Sequence, residues 1–96
     1  MSVFRLARFK IGPADTEAML ERRAALVAVI RSGFPGLIEA QLAKIDDETW
    51  IDVWRWDTWS SAQSATSRAP SIPEAGAAFS LTKGITLEYA EVVDET

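Results

Sequence analysis

Glycine and proline punctuate this chain at four places, and their spacing limits what it can fold into more than any other feature. Gly12-Pro13, Gly33 with Pro35-Gly36, Pro70 with Pro73, and Gly84 cut 96 residues into segments of strand or helix length. Ser2 to Ile11 alternates: Val3, Arg5, Ala7, Phe9 and Ile11 point one way, and Phe4, Leu6, Arg8 and Lys10 the other, which predicts a first strand. Gly12-Pro13 ends it. Asp15 is placed to cap a helix over Thr16 to Ser32, with Met19, Leu20, Ala24, Val27 and Ile30 at helical spacing. Gly33 suits a left-handed helix end, which would bring Phe34 onto Val29.

Leu37 to Ile45 and Thr49 to Trp56 read as a hairpin around the polar turn Asp46-Asp47-Glu48. Asp57 or Thr58 can cap the next helix, with Ser60 and Gln63 a competing capping box. Pro70 and Pro73 split that region into helices over about 59–69 and 73–80. Gly84 is expected to end it. Ile85 to Val93 forms a last strand, and Asp94 to Thr96 a polar tail. The order is β-α-β-β-α-β in one domain, residues 1–96, with no linker or repeat. The fold class is α+β: a ferredoxin-like arrangement with one antiparallel four-stranded sheet and helices on one face.

Helices on one face should leave the other polar. Yet Trp50, Asp52, Trp54 and Trp56 share one face of the third strand while Ile51, Val53 and Arg55 share the other, and the first strand is apolar on both. The economical cover for the second face is a second copy of the chain, so a homodimer is expected.

Composition removes whole classes of chemistry. The chain has no cysteine and no histidine, and no asparagine is found on reading it through. Disulfides, thiolate metal sites, the commonest general base and the usual haem ligands are therefore absent, and neither a metal site nor a cofactor is expected. A net charge of −4 argues against nucleic acid as a partner. The longest apolar run, Ala24 to Ile30, is far short of the ~20 residues of a membrane span, and Met1 to Lys10 lacks a secretory h-region. The expected location is cytoplasmic, away from membranes. No phosphate loop, dinucleotide fingerprint or nucleophile elbow occurs.

Several stretches resemble the antibiotic biosynthesis monooxygenase family of the dimeric α+β barrel superfamily. They are Arg5-Leu-Ala-Arg8-Phe-Lys-Ile-Gly-Pro13, Phe34-Pro-Gly36, Trp54-Arg-Trp-Asp57 and Glu88-Tyr-Ala-Glu-Val-Val93. The resemblance implies a barrel of two sheets, one from each subunit, and a ligand pocket between each sheet and its own helices. It also implies a cofactor-independent monooxygenase-like oxidoreductase, of the kind used in antibiotic biosynthesis, acting on an aromatic or polyketide-like molecule. A cyclase or isomerase of the same superfamily, or a non-catalytic homodimer binding a small hydrophobic ligand, is the alternative. The haem-degrading members use His and Asn with Trp, so haem turnover is not expected of a chain that lacks both.

All four tryptophans lie between positions 50 and 59, and twelve of the 21 residues from Ser60 to Ser80 are Ala or Ser. Indoles facing small side chains make either an interdigitated core or an aromatic-walled cavity with a thin roof. In the second case Trp50, Trp54, Trp56 and Trp59 are the candidate substrate-binding residues. Asp52 among them is a candidate general base, and equally a salt-bridge partner for Arg5, Arg8 or another strand arginine. Arg55, like Arg5 and Arg8, is a candidate stabiliser of an enolate or phenolate, and Tyr89 a hydrogen-bond donor to a ligand oxygen. The candidate catalytic set is thus Asp52, Arg55 and Tyr89.

Overall fold

A computed structural model describes residues 1–95, in which strands and helices follow one another in the order that the punctuation predicts. Strands β1 (Val3–Lys10), β2 (Leu37–Lys44), β3 (Thr49–Trp56) and β4 (Lys83–Glu91) form one antiparallel sheet in the spatial order β2-β3-β1-β4. Helix α1 (Thr16–Gly33) connects the first two strands; α2 (Trp59–Arg68) and α3 (Pro73–Phe79) connect the last two. Three-residue 3-10 turns lie at Pro13–Asp15 and Ala69–Ser71. This is the ferredoxin-like arrangement. Among the described residues no helix is long and apolar enough to cross a membrane.

All three helices pack on the tryptophan side of the sheet. Leu26 and Ile30 of α1, Ala62 and Ala65 of α2 and Ala75 of α3 bury Trp54, Trp56 and Leu37. A second cluster joins Ala7, Phe9, Ile11, Met19 and Trp50. Burying a side chain as large as Trp56, only 1% exposed, contributes about 1.5–3 kcal/mol. Register aligns Ala40, Trp54, Arg5 and Tyr89 in one row across the sheet, and Leu42, Asp52, Ala7 and Leu87 in the next.

Four local expectations are corrected. Helix α1 runs through Gly33, which has no positive φ; Phe34, at φ −136° and ψ 86°, leaves it because Pro35 disfavours helical geometry in the residue before it. Phe34 then stands edge-on to Trp56, with centroids 6.5 Å apart, rather than folding back as a left-handed end would require. The buried stripe of α1 is Met19, Leu26 and Ile30, with Arg23 between them; Leu20 is 46% exposed and Ala24 is exposed. Gly84 lies inside β4 at φ 60°, where Gly84 and Ile85 face the single residue Phe9 of β1. Such an extra residue is a β-bulge, and glycine meets its left-handed turn without a Cβ penalty.

Caps resolve as well. Asp15 precedes α1 but its carboxylate accepts no capping bond, the 3-10 turn leading in instead. Thr58 caps α2 by accepting from the Ser61 N–H at 3.1 Å, which places Ser60 within the helix and removes the competing box. In the polar tail, Glu95 pairs with Arg55 and accepts from the Ser2 hydroxyl, while Thr96 lies outside the described residues.

Candidate functional site

Large indoles on the sheet and small side chains on α2 and α3 leave space between the layers: a cavity of about 330 Å³. Arg5, Asp52, Trp54, Trp56, Leu87 and Tyr89 line its sheet side. The roof is made by Ala65, Thr66 and Ala69, then Ala75, Gly76 and Ala78, so the break at Pro70 and Pro73 bends a thin cover over the tryptophans. Met19, Arg23, Leu26 and Ile30 of α1 form one wall. On the β4 side the cavity is less covered: Phe79, Ile85 and Leu87, all lining it, are 37%, 39% and 47% exposed.

The polar groups of this apolar chamber are few and most are paired. Arg23 grips Asp52 with two bonds, Nε to Oδ2 and an Nη to Oδ1, each 2.9 Å. The Trp54 indole N–H donates to Asp52 Oδ1 at 2.8 Å. A bidentate ion pair with a further N–H donor is the arrangement in which a charge withdrawn from water is stable, because both carboxylate oxygens are satisfied. The Tyr89 hydroxyl and Thr66 Oγ1 share a hydrogen bond of 2.6 Å. Arg5 lies over the Trp54 ring, 5.6 Å from its centroid. Among the described residues no carboxylate pairs with Arg5. Among the described residues the Trp56 indole N–H is buried without an acceptor, as is that of Trp50.

Asp52, Tyr89, Trp54 and Trp56 of the sequence-derived set thus meet at one cavity, joined by Arg5. Arg55 does not join them. It pairs across the sheet with Phe4 and lies on the opposite face, where it stacks on that ring, donates to Ser2 and pairs with Glu95. Alternation along β3 decides this, since an odd separation from Asp52 puts Arg55 on the other side. Trp50 faces the helices but sits in the neighbouring cluster, beneath Lys44. Trp59 is half exposed at the start of α2, does not line the cavity, and stands edge-on to Tyr89 with centroids 5.3 Å apart.

The residue missed is Arg23. Asp52 pairs with a helix rather than a strand arginine. Its sequence signal was present: Arg23 falls four residues after Met19 and three before Leu26, a charge inside the buried stripe, which is stable only with a buried partner.

No family model and no curated protein matches the chain. Solved structures match its fold over nearly its whole length. SnoaB, a cofactor-independent oxygenase from Streptomyces nogalater, is 20% identical at a TM-score of 0.74, covering 98% of this chain and 95% of its own. A provisionally assigned antibiotic biosynthesis monooxygenase from Caulobacter crescentus is 18% identical at a TM-score of 0.77, covering 97% and 91%. MhuD, a heme-degrader from Mycobacterium tuberculosis whose active site holds two hemes, is 19% identical at a TM-score of 0.70, covering 98% of each chain. The chain has the fold of the antibiotic biosynthesis monooxygenases.

Proposed function

We propose that this protein is a cofactor-independent monooxygenase acting on an aromatic or polyketide-like molecule held in the cavity beneath α2 and α3. The observation that carries the reading is the cavity itself: apolar, walled by Trp54 and Trp56, with Asp52, Arg5 and Tyr89 converging on it. An electron-rich substrate that loses a proton can pass electrons to O₂ directly. When a methylene becomes a carbonyl, one oxygen atom enters the substrate and the other leaves as water, with no outside reductant. Such a reaction asks the protein for a dry chamber, a base and a stabiliser of the anion. Asp52 is the only carboxylate lining the cavity among the described residues and is the candidate base. Of Arg5, Arg8 and Arg55, the three candidate stabilisers, Arg5 lines the cavity and takes that role, and the Tyr89–Thr66 pair is placed to hold a substrate oxygen. The active unit is a homodimer.

A haem reaction like that of MhuD is not carried over. The chain has no His or Cys, and of the ligand atoms lining the cavity those of Tyr89 and Asp52 are already hydrogen-bonded, leaving the Met19 sulfur.

One observation favours a binding role without turnover: both Asp52 oxygens are held by Arg23 and Trp54. The experiment combines tryptophan quenching with oxygen uptake. Anthrone-like compounds should quench emission saturably and should be oxidised with one O₂ consumed per molecule. Asp52→Asn should keep the quenching and lose the uptake. Saturable quenching with no uptake for any compound in the wild-type protein assigns the binding role, and no saturable quenching defeats both readings.

A further inference from the structure

The charge balance of the cavity goes further than the proposed reaction, on whose cavity it rests. Arg23 and Asp52 cancel, both in the wall and both engaged. Arg5 remains. It is half-buried and lines the same space, and its place in the sheet row, between Trp54 and Tyr89, sets it among aromatic rings. Two acids lie two residues away in register on its own sheet face, Asp52 along β3 from Trp54 and the exposed Glu91 along β4 from Tyr89; Asp52 is held by Arg23, and among the described residues neither forms an ion pair with Arg5. A guanidinium beside an apolar chamber is costly unless a negative group meets it, and it presents a planar fork suited to two oxygens. The Trp54 ring beneath it fixes that fork without neutralising it.

We infer that the molecule this cavity takes carries a negative charge before any reaction begins, an anionic oxygen group on a planar aromatic frame, and that Arg5 is the residue selecting it. The frame stacks among Trp54, Trp56 and the apolar β4 side chains while the anion meets Arg5. Selection of this kind differs from transition-state stabilisation. An arginine acting only on charge developed in the reaction would bind charged and neutral ligands alike.

The test uses the wild-type protein first. Anthraquinone-2-carboxylate and anthraquinone-2-carboxamide share a frame and differ in charge, and their dissociation constants are read from tryptophan quenching. The carboxylate should bind at least about tenfold more tightly. 2-Hydroxyanthraquinone, titrated across the ionisation of its hydroxyl with the carboxamide as control at each pH, separates phenolate from carboxylate recognition. Tightening on ionisation extends the class to phenolates; none restricts it to carboxylates. Arg5→Met should abolish the preference for the carboxylate while leaving the carboxamide affinity within about threefold. Arg5→Lys, which keeps the charge and loses the fork, should retain part of it. Equal binding of carboxylate and carboxamide to the wild-type protein overturns the inference and leaves the cavity reading standing, with no need for a variant to fold. So does a preference that survives in Arg5→Met. If neither compound quenches saturably, the cavity reading falls and takes this inference with it.

Discussion

Arg23 and Asp52 show how one side chain can reset the reading of a whole helix. Hydrophobicity alone orients α1 by Leu20 and Ala24, but the helix is rotated so that Arg23 enters the stripe and reaches Asp52. Asp52 is legible as a charge among tryptophans, and Arg23 as a charge within the apolar stripe of α1. That the two meet is not legible, because which helix face meets a given strand position is a tertiary matter that spacing cannot state. Arg55 failed for a different reason: it was chosen by its chemistry, although period-two alternation already placed it opposite Asp52. The ion pair yields a stability prediction. Removing one partner leaves the other buried and uncompensated, so Arg23→Ala should cost about 3–5 kcal/mol. Replacing both by apolar residues, Arg23→Met with Asp52→Leu, should recover most of that loss, since it removes both desolvation penalties. Urea unfolding of Arg23→Met, Asp52→Leu and their double closes the cycle, with Arg23→Ala measured beside them. A double variant no more stable than Arg23→Ala would show that the pair does more than cancel charge.

Element boundaries were the most legible part of the fold because proline and glycine act locally. Pro35 ends α1 through Phe34, and Pro73 stands at the start of α3 as its missing N–H allows. Gly84 is not the stop that its type suggests, because its requirement comes from the neighbouring strand: the bulge exists only in the pairing with β1. Gly36 has a requirement of the same tertiary kind. A Cβ there would lie 2.5 Å from Ser61 Oγ and 2.6 Å from both Ser61 Cβ and Asp57 Oδ1, because the start of β2 is pressed against the start of α2. Its carbonyl also accepts the Asp57 N–H. Gly36→Ala should therefore cost about 1–3 kcal/mol as an overpacking change, read as a lower urea midpoint; a neutral result would mean that the α2 terminus shifts freely. The β2–β3 turn is held differently. Asp46 Oδ1 accepts the N–H groups of Glu48 and Thr49 at 3.0 and 2.7 Å. The Glu48 N–H, then the Thr49 hydroxyl and N–H, hold this carboxyl below the usual aspartate range. With the folded value depressed, the unfolded chain binds more protons between the two values. The stabilisation is present above the ordinary aspartate value and disappears as pH falls through the lower folded one. Asp46→Ala should thus lower the urea midpoint at neutral pH, and the difference should vanish as pH falls through the lowered folded value. A difference between the two proteins that persists in strong acid would remove the carboxylate from the explanation.

Over the whole molecule the fold leaves one large surface unexplained by a single chain. The helices cover the tryptophan face, while Phe4, Leu6, Ile51 and Val53 cluster on the other face of β1 and β3, half-buried by their neighbours and covered by no helix. Around them the same face carries charges of both signs: Arg8 and Arg55 on the central strands, Glu39 on β2 and Glu88 on β4. An apolar centre with a mixed-charge rim is the anatomy of an interface. Because both signs lie on one patch, a two-fold axis can set the basic groups of one copy against the acidic groups of another. A chain of 96 residues has little core to spare, and joining two such faces would bury apolar area that it cannot bury alone. The expected interface removes roughly 1,200–2,000 Å² in total or more. Light scattering at micromolar concentration should give twice the subunit mass. Val53→Glu, which places a carboxylate at the centre of the patch and disturbs nothing on the helix side, should halve that mass while the far-ultraviolet circular dichroism of the fold persists. If the wild-type protein already scatters as a single subunit, the facing-sheet dimer is wrong, and this apolar face must have another purpose.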